Sequence, residues 1–170
     1  MPLLEIIINN KTINQFGIKF NNRSQYPIII PLFDKSTFKG YIQRRIDDGI
    51  PKYLYNKGFE KKKTVVGKVK NNYPLIIVEG IFDLLKSYQF GYKNIVSILG
   101  WKASKYQKQK ISKADKIIDG LDNDRAGEEG GKFLRNNFDN VVRLQYYKDR
   151  KDIGDMSKKE FQWTIRKTLD

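Results

Sequence analysis

The chain has 170 residues, 39% of them hydrophobic, which is enough to bury the core of one sizeable domain or two small ones. Lys and Arg number 33 against 19 Asp and Glu, and the net charge of +14 favours a polyanionic partner: nucleic acid, a nucleotide or an anionic membrane. The absence of Cys and His excludes disulfides, thiol or imidazole chemistry and a Cys/His zinc site, so a bound metal must have oxygen ligands, which suits Mg²⁺ or Mn²⁺.

Residues 1–72 consist of short apolar runs separated by turn residues. The runs LLEIII, YPIIIPLF, GYIQRRI and KTVVGKV are rich in β-branched residues, which favour strands, and we predict that these strands pair antiparallel. The segment KNNYP, residues 70–74, then separates the two halves of the chain. We predict a small, basic, mostly β subdomain over residues 1–72 and a second domain over residues 73–170.

Strands and helices alternate in the second half. Strands are predicted at LIIVEG (75–80), NIVSILG (94–100), from KIIDGLDND (116–124) and at NVVRLQYY (140–147), with helices at IFDLLKSYQFG, from SKYQ, at RAGEEGGKFLRNNF and from SKKE. Gly91 is placed to end the first of these helices, and SKYQ and SKKE have the spacing of helix capping boxes. This alternation is typical of an α/β fold with a parallel sheet covered on both faces.

Acidic residues follow three of the predicted strands. Glu79 ends the first strand, Asp122 and Asp124 end the third, and the acids of KDIGD follow the fourth. Since working groups lie at the carboxyl ends of parallel strands, we expect these acids on one edge of the sheet. Asp122 and Asp124 alone are better explained as turn or helix-cap residues. Together with the other acids, they favour a site for a hard divalent cation.

These motifs, in this order, resemble the Toprim domain shared by topoisomerases and primases. The segments are LIIVEGIFDLLKSYQFGYKNIVSILG, IIDGLDNDRAGEEGGKFL and KDIGDM, with a strand-end Glu-Gly and a later Asp-x-Asp. Asp83, four residues after Glu79, and the Ala-Gly after Asp124 resemble the DnaG-type primase branch. The upstream segment, IIIPLFDKSTFKGYIQRRIDDGIPKYLYNKGFEKKKTVVG, resembles the part of the primase RNA polymerase domain that precedes Toprim. The resemblance spans roughly residues 12–160 and implies a Rossmann-like parallel sheet flanked by helices.

The chain also departs from the pattern of these primases. Their third acidic motif is usually Asp-Pro-Asp, whereas here it is Asp152-Ile-Gly-Asp155. Asp119 and Gly120 interrupt a strand that is usually apolar, and we interpret Asp119 as structural. Such primases also carry a zinc-binding module, a longer basic N-terminal subdomain and a helicase-binding or helicase domain, which we do not recognise in this sequence. We therefore expect either a minimal core or partners that supply these parts.

The resemblance implies a role for each acid in nucleotidyl transfer. Glu79 acts near the 3′-hydroxyl as metal ligand or general base, Asp122 and Asp124 are the main metal ligands, and Asp152 with Asp155 holds a further metal. Asp83 is a supporting acid that faces the same site from the first turn of a helix. A favourable charge at a helix N-terminus explains Asp83 equally well, and Asp155 could instead stabilise the start of the last helix.

A basic and aromatic group lies in the first half of the chain, at Arg44, Arg45, Lys52 and Tyr53. Arg and Lys bind phosphates, and unstacked bases stack on aromatic rings. The resemblance implies that the matching Arg and Lys line the cleft for template and nucleotide. The run Lys61–Lys63 and the helix SKYQKQKISK are also basic, but a solvated face explains them almost as well.

The resemblance implies a primase catalytic core that copies single-stranded DNA into short RNA primers from ribonucleoside triphosphates, using Mg²⁺ or Mn²⁺ and no zinc. A replicative helicase or a separate zinc-binding protein is a further expected partner. Two alternatives stay open: a Toprim nuclease or DNA-cleaving enzyme, and a non-catalytic module that binds single-stranded DNA or a replication protein. Topoisomerase-type cleavage would need a partner Tyr on another domain.

The sequence also bears on location. No segment approaches the roughly 18 apolar residues that a membrane helix needs. The first residues, MPLLEIIINNK, lack the basic region and the small-residue cleavage site of a secretory signal. We therefore expect a cytoplasmic protein without a membrane partner, and a phage or plasmid gene is compatible with that location.

Overall fold

The computed structural model describes residues 8–71 and 73–170. Strands dominate the first half of the chain, and strands and helices alternate in the second. In chain order the elements are α1 (Asn10–Phe16), β1 (Lys19–Phe20), β2 (Ile28–Asp34), β3 (Thr37–Arg44), β4 (Tyr53–Tyr55), a 3₁₀ turn (Lys61–Lys63), β5 (Val66–Gly67), β6 (Leu75–Val78), α2 (Ile81–Phe90), β7 (Ile95–Ser97), α3 (Lys105–Ile111), β8 (Ile117–Asp119), α4 (Arg125–Arg135), β9 (Val141–Arg143) and α5 (Lys158–Leu169). The predicted strand LLEIII, residues 3–8, lies outside the described residues except for Ile8, which is buried.

The nine strands of the described residues form one sheet, in the order β4-β3-β2-β5-β7-β6-β8-β9, with β1 paired to β2. Strands β1 to β4 pair antiparallel, and β6 to β9 pair parallel. These pairings confirm the parallel second half and the predicted antiparallel pairing of YPIIIPLF with GYIQRRI, whereas β5, from the run KTVVGKV, lies parallel to its first-half neighbour β2. Strand β5 joins the two parts, because it lies parallel to β2 and antiparallel to β7. The predicted domain boundary at residue 72 stays a prediction.

The helix boundaries follow the predicted signals. Gly91 ends α2 in the left-handed conformation, with φ of 101°. Ser104 and Gln107 form a capping box at the start of α3, and Ser157 and Glu160 form one at the start of α5. No helix within residues 8–71 or 73–170 combines the length and apolarity needed to cross a bilayer.

Strand β6 lies at the centre of the core and is buried on both faces. Leu75 and Ile77 pack beneath α3 and α4, whereas Ile76 and Val78 pack beneath α2 and α5. All four side chains are fully buried, and each contributes about 1.5–3 kcal/mol through the burial of apolar surface. This packing fixes the end of β6, and with it the position of Glu79.

Candidate active site

A cleft of about 720 Å³ separates the carboxyl ends of β6 and β8 from the antiparallel strands β3 and β4. Its two sides carry opposite charges. The acidic wall consists of Glu79, Asp83, Asp122, Asp152 and Asp155, and the basic wall consists of Arg44, Lys52 and Lys61 with Tyr53 and Tyr55. The structure thus brings together on this cleft all the predicted site residues except Asp124, which lies beside it, and Arg45, which points elsewhere.

Glu79 is the most unusual group of the acidic wall. It directly follows β6, and its main-chain carbonyl accepts a hydrogen bond of 2.8 Å from the Ser97 hydroxyl. Its Oε1 is buried without a hydrogen-bond partner, an arrangement that is costly for a charged group. Burial, followed by the charges of Asp122 and Asp124, raises the pKa of Glu79 to about 7. The Glu79 carboxyl group is therefore poised to exchange a proton or to accept a cation near neutral pH.

Asp122 and Asp124 are held by the start of α4. Asp124 is the N-cap of this helix, and its Oδ1 accepts a hydrogen bond of 3.0 Å from the N–H of Gly127. Asp124 is thus a helix cap, as its position in the sequence allowed, but only through Oδ1; its Oδ2 takes no part in the cap. Gly127 allows a close approach, since a Cβ there would overlap the Asp122 carbonyl oxygen. The Asp-x-Asp pair is therefore fixed by backbone packing.

Lys151 places a cation between the two aspartates, and the sequence reasoning missed it. Its Nζ lies 3.8 Å from Asp122 Oδ2 and 3.9 Å from Asp124 Oδ2. The main-chain N–H of Asn123 donates a hydrogen bond of 2.6 Å to the Lys151 carbonyl, which ties the two loops together. Burial, then the charge of Asp152, raises the pKa of Asp122. The position of Lys151 shows that this pair of carboxylates attracts a positive charge.

The third acidic motif and Asp83 meet at the base of the cleft. Asp83 is only 6% exposed, and its Oδ1 accepts a hydrogen bond of 2.9 Å from the N–H of Gly154. Burial, followed by the charge of Asp152, raises the pKa of Asp83 to about 8. Asp152 Oδ1 accepts from the N–H of Asp155 at 2.9 Å. Asp155 is exposed and lines the cleft, while Ser157 supplies the cap of the last helix.

Asp119 stabilises the loop that carries Asp122, in agreement with the structural role predicted for it. Asp119 is fully buried and pairs with Arg143 at 2.9 Å and with Arg135 at 3.5 Å. The other terminal nitrogen of Arg143, Nη2, donates a hydrogen bond of 2.9 Å to the Asp122 carbonyl. Arg143 thus connects the buried carboxylate to the backbone of the Asp-x-Asp motif.

The structure separates the two neighbouring arginines, which the sequence reasoning had grouped. Arg44 faces the cleft, where its guanidinium lies 4.1 Å from the centre of the Phe82 ring and donates a hydrogen bond of 3.0 Å to the Tyr53 hydroxyl. Arg45 forms a two-pronged ion pair with Asp47, at 2.5 and 3.0 Å. Consecutive side chains of an extended segment point to opposite faces, and of these two arginines Arg44 lines the cleft while Arg45 does not.

Lys52 and Lys61 complete the basic wall. Lys52 is exposed at the cleft. Lys61 Nζ lies 5.7 Å from the centre of the Tyr55 ring, and burial lowers its pKa, although the charge of Glu79 opposes that shift. From the sequence, a solvated face explains the basic run that contains Lys61 almost as well as contact with DNA does. The structure instead places it across the cleft from Glu79.

The acidic wall suits a hard cation in its chemistry. Its donors are carboxylate oxygens, and one of them, Glu79 Oε1, is buried and unsatisfied. Within residues 8–71 and 73–170, however, no three acids already lie in positions to hold one ion together. Lys151 lies where it would meet a cation shared by Asp122 and Asp124. Binding an ion would therefore require these side chains to adjust.

Comparison with known proteins identifies the class of domain that carries this cleft. Residues 76–157 match the family model described as Toprim-like. The DNA primase of Clostridium acetobutylicum is 35% identical to this chain over 133 residues, which are 72% of the chain and 21% of that primase. The chain carries a Toprim core of the DnaG primase type. It spans about a fifth of the length of the curated relatives that it matches.

Solved structures of this Toprim class share the fold. The zinc-binding and RNA polymerase domains of the Aquifex aeolicus primase superpose with a TM-score of 0.77 at 21% identity, covering 98% of this chain and 55% of that one. A DnaG primase catalytic domain bound to single-stranded DNA superposes with a TM-score of 0.67 at 18% identity, covering 93% and 62%. At these identities the superpositions establish the fold of the DnaG catalytic core.

Proposed function

We propose that this chain is the catalytic core of a DNA primase, which synthesises short RNA primers on single-stranded DNA by metal-dependent nucleotidyl transfer. The observation that carries the proposal is the pairing of Glu79 and Asp122 on one wall of the cleft with Arg44 and Lys52 on the other. Nucleotidyl transfer brings together a polyanionic strand, a triphosphate and a cation. A cleft with an acidic and a basic wall provides for all three.

The acidic wall would hold Mg²⁺ or Mn²⁺. We assign Glu79, Asp122 and Asp124 as the main ligands, with Asp152 and Asp155 supporting a further ion and Asp83 behind them. A bound divalent ion supplies charge stabilisation at the transferred phosphoryl group and lowers the pKa of the attacking hydroxyl. The buried Oε1 of Glu79 supports this assignment, because a cation would satisfy it.

Glu79 can also hold the proton that nucleotidyl transfer releases. The attacking 3′-hydroxyl loses a proton as its oxygen bonds to phosphorus, and pyrophosphate leaves. A carboxylate whose pKa is about 7 accepts a proton far more readily at neutral pH than an ordinary carboxylate does. Glu79 therefore fits the role of general base as well as that of ligand, the two roles that the sequence left open.

The basic wall would bind the template and the incoming ribonucleoside triphosphates. Arg44 keeps free N–H groups because its contacts are one hydroxyl and two aromatic rings. Lys52 is exposed, and the half-buried Tyr53 and Tyr55 provide ring surface on which unstacked bases can stack. The DnaG catalytic domain bound to single-stranded DNA supports a DNA strand as the ligand. A replicative helicase and a separate zinc-binding protein stay predictions.

Template-directed incorporation tests the proposal. The purified chain is incubated with a single-stranded template, labelled ribonucleotides and Mn²⁺, beside an Asp122→Asn variant and an Asp139→Asn control in which an exposed acid is changed. Short products whose composition follows the template, absent with Asp122→Asn and retained with Asp139→Asn, would support the primase. Cleaved template would indicate the nuclease, and strand binding without either reaction would indicate the non-catalytic module.

A further inference from the structure

A second basic region lies on the opposite edge of the sheet from the acidic wall. Strand β5 runs antiparallel to β7, so Lys68 and Lys70 emerge where β7 begins. The Lys70 N–H donates a hydrogen bond of 2.7 Å to the side chain of Asn94, which directly precedes β7. Lys93 and Lys113 also precede parallel strands. These lysines therefore mark the amino edge of the parallel strands, whereas the acids follow the carboxyl ends.

The lysines of this edge line two adjoining grooves. One groove has a volume of about 300 Å³ and the other about 490 Å³. Both are lined by Lys35, Gly67 and Lys68, so they meet at this edge of the sheet, the smaller on the face covered by α3 and the larger on the face covered by α2. We call the two together the far-edge groove. The remaining lysines of its walls are Lys70, Lys93, Lys110 and Lys113. The far-edge groove has no residue in common with the lining of the cleft.

The far-edge groove carries uncompensated positive charge. Its lining contains a single carboxylate, Asp34, which is buried and already accepts a hydrogen bond of 2.7 Å from Tyr106 while pairing with Lys110 at 3.5 Å. The other lysines are exposed and form no ion pair with any acid in the described part of the chain. The lysine charges together raise the positive potential of the far-edge groove, which attracts a polyanion.

Aromatic rings accompany these charges. Phe33 is 40% exposed, and Phe16 and Tyr88 lie edge to face with their ring centres 4.9 Å apart. All three line the larger part of the groove, among Lys35, Lys68, Lys70 and Lys93. Phe33 is exposed, and Phe16 and Tyr88 are half-buried. A basic groove with accessible ring surface is the arrangement that binds single strands, because the cations contact phosphates while unpaired bases stack on the rings.

We infer that the far-edge groove binds single-stranded nucleic acid at a site separate from the cleft. The lysines contact the phosphates, and Phe33 and Tyr88 contact the bases. A strand that enters the cleft then has a second binding site on the protein, at the opposite edge of the sheet. The inference does not depend on catalysis in the cleft, since the groove and the cleft share no lining residue.

The test compares two triple variants that lose the same charge. The groove variant replaces Lys35, Lys68 and Lys93 by Gln, and the control replaces Lys159, Arg166 and Lys167, exposed cations of α5. Binding of a labelled oligothymidylate of about 16 nucleotides, the upper end of single-strand site sizes, is followed by fluorescence anisotropy at several salt concentrations. The groove variant should bind at least about ten-fold more weakly at low salt and flatten the salt slope by about 2, at about 0.7 per lost contact. The control should bind like the wild-type protein.

A second measurement uses the unmodified protein. A strand that contains 5-iododeoxyuridine crosslinks under light to aromatic side chains on which its bases stack, and mass spectrometry locates the crosslinks. Crosslinks at Phe33 or Tyr88 support the groove. Equal binding by the two triple variants, with crosslinks confined to the cleft tyrosines, overturns the inference. The primase proposal is separable, because primer synthesis on a saturating template depends on Asp122 and should survive in the groove variant.

Discussion

Replacing Asp83 by Asn should stabilise the metal-free protein, and increasingly so as the pH rises. Asp83 is 6% exposed, and burial raises its pKa to about 8 from an ordinary value of 3.8. In the unfolded chain this group loses its proton near pH 4, whereas in the folded protein it keeps the proton until about pH 8. The folded state therefore binds more protons between these values, and stability is lost as the pH rises through that window.

The magnitude follows from the size of the pKa difference. Each pKa unit corresponds to 1.36 kcal/mol, so a difference of about four units sets a ceiling of about 6 kcal/mol for the stability lost by pH 8. Asn has almost the same shape as the protonated acid and can still accept the hydrogen bond from Gly154. We expect Asp83→Asn to gain at least about 2 kcal/mol at pH 8, or about 4–8 °C in Tm, and at most about 1 kcal/mol at pH 4.5, where the unfolded chain has begun to lose this proton.

Thermal and urea unfolding in the presence of a chelator measures this difference across the pH range. Asp139→Asn, which changes an exposed acid, is the matched control and should track the wild-type protein at every pH. A gain that is the same at pH 4.5 and pH 8, or a loss of stability at pH 8, would show that Asp83 is ionised without penalty. Asp83 would then not be buried at the base of the acidic wall.

Three further changes test individual contacts. Asp122→Ala should abolish primer synthesis and weaken Mn²⁺ binding, measured by calorimetry, at least about ten-fold. It should also raise the metal-free Tm, by about 2–4 °C for each kcal/mol of relieved repulsion between the acids. A lower metal-free Tm would show that Asp122 has a structural role. Arg44→Ala should flatten the salt dependence of strand binding by about 0.7, whereas Arg45→Ala should leave it as in the wild-type protein. Equal salt slopes for the two variants would show that Arg44 does not contact the template. Lys151→Gln should tighten Mn²⁺ binding about thirty-fold, since a unit charge about 4 Å from a divalent ion in water-like surroundings repels it by about 2 kcal/mol. Weaker Mn²⁺ binding would instead make Lys151 part of the site.

Local sequence signals predicted the second half of the fold well. The capping boxes at Ser104 and Ser157 and the left-handed Gly91 depend on residues within one or two turns, so they can be read without the tertiary structure. The order of strands and helices also placed the acids at one edge. The strands themselves are shorter than predicted: β9 ends at Arg143, because the chain then turns into the loop that carries the third acidic motif.

The parts that sequence reasoning missed depend on contacts between distant segments. Arg143 meets Asp119 because β8 and β9 pair in a register that no local pattern specifies. Lys151 reaches Asp122 only because two loops pack together. The sequence could have predicted that Arg44 and Arg45 point in different directions, since neighbouring side chains on a predicted strand face opposite ways. The basic residues had been grouped by composition without applying that alternation.

Primer synthesis on a template of one repeated base tests the primase proposal directly. A homopolymeric single-stranded DNA template is supplied with Mn²⁺ and the four ribonucleoside triphosphates, one of which is labelled in each reaction. Only the nucleotide complementary to the template should enter a short product, and the Asp122→Asn variant should make no product while still binding the strand. Incorporation that ignores the template, or none at all while Mn²⁺ and the strand are both shown to be bound, would contradict the primase proposal.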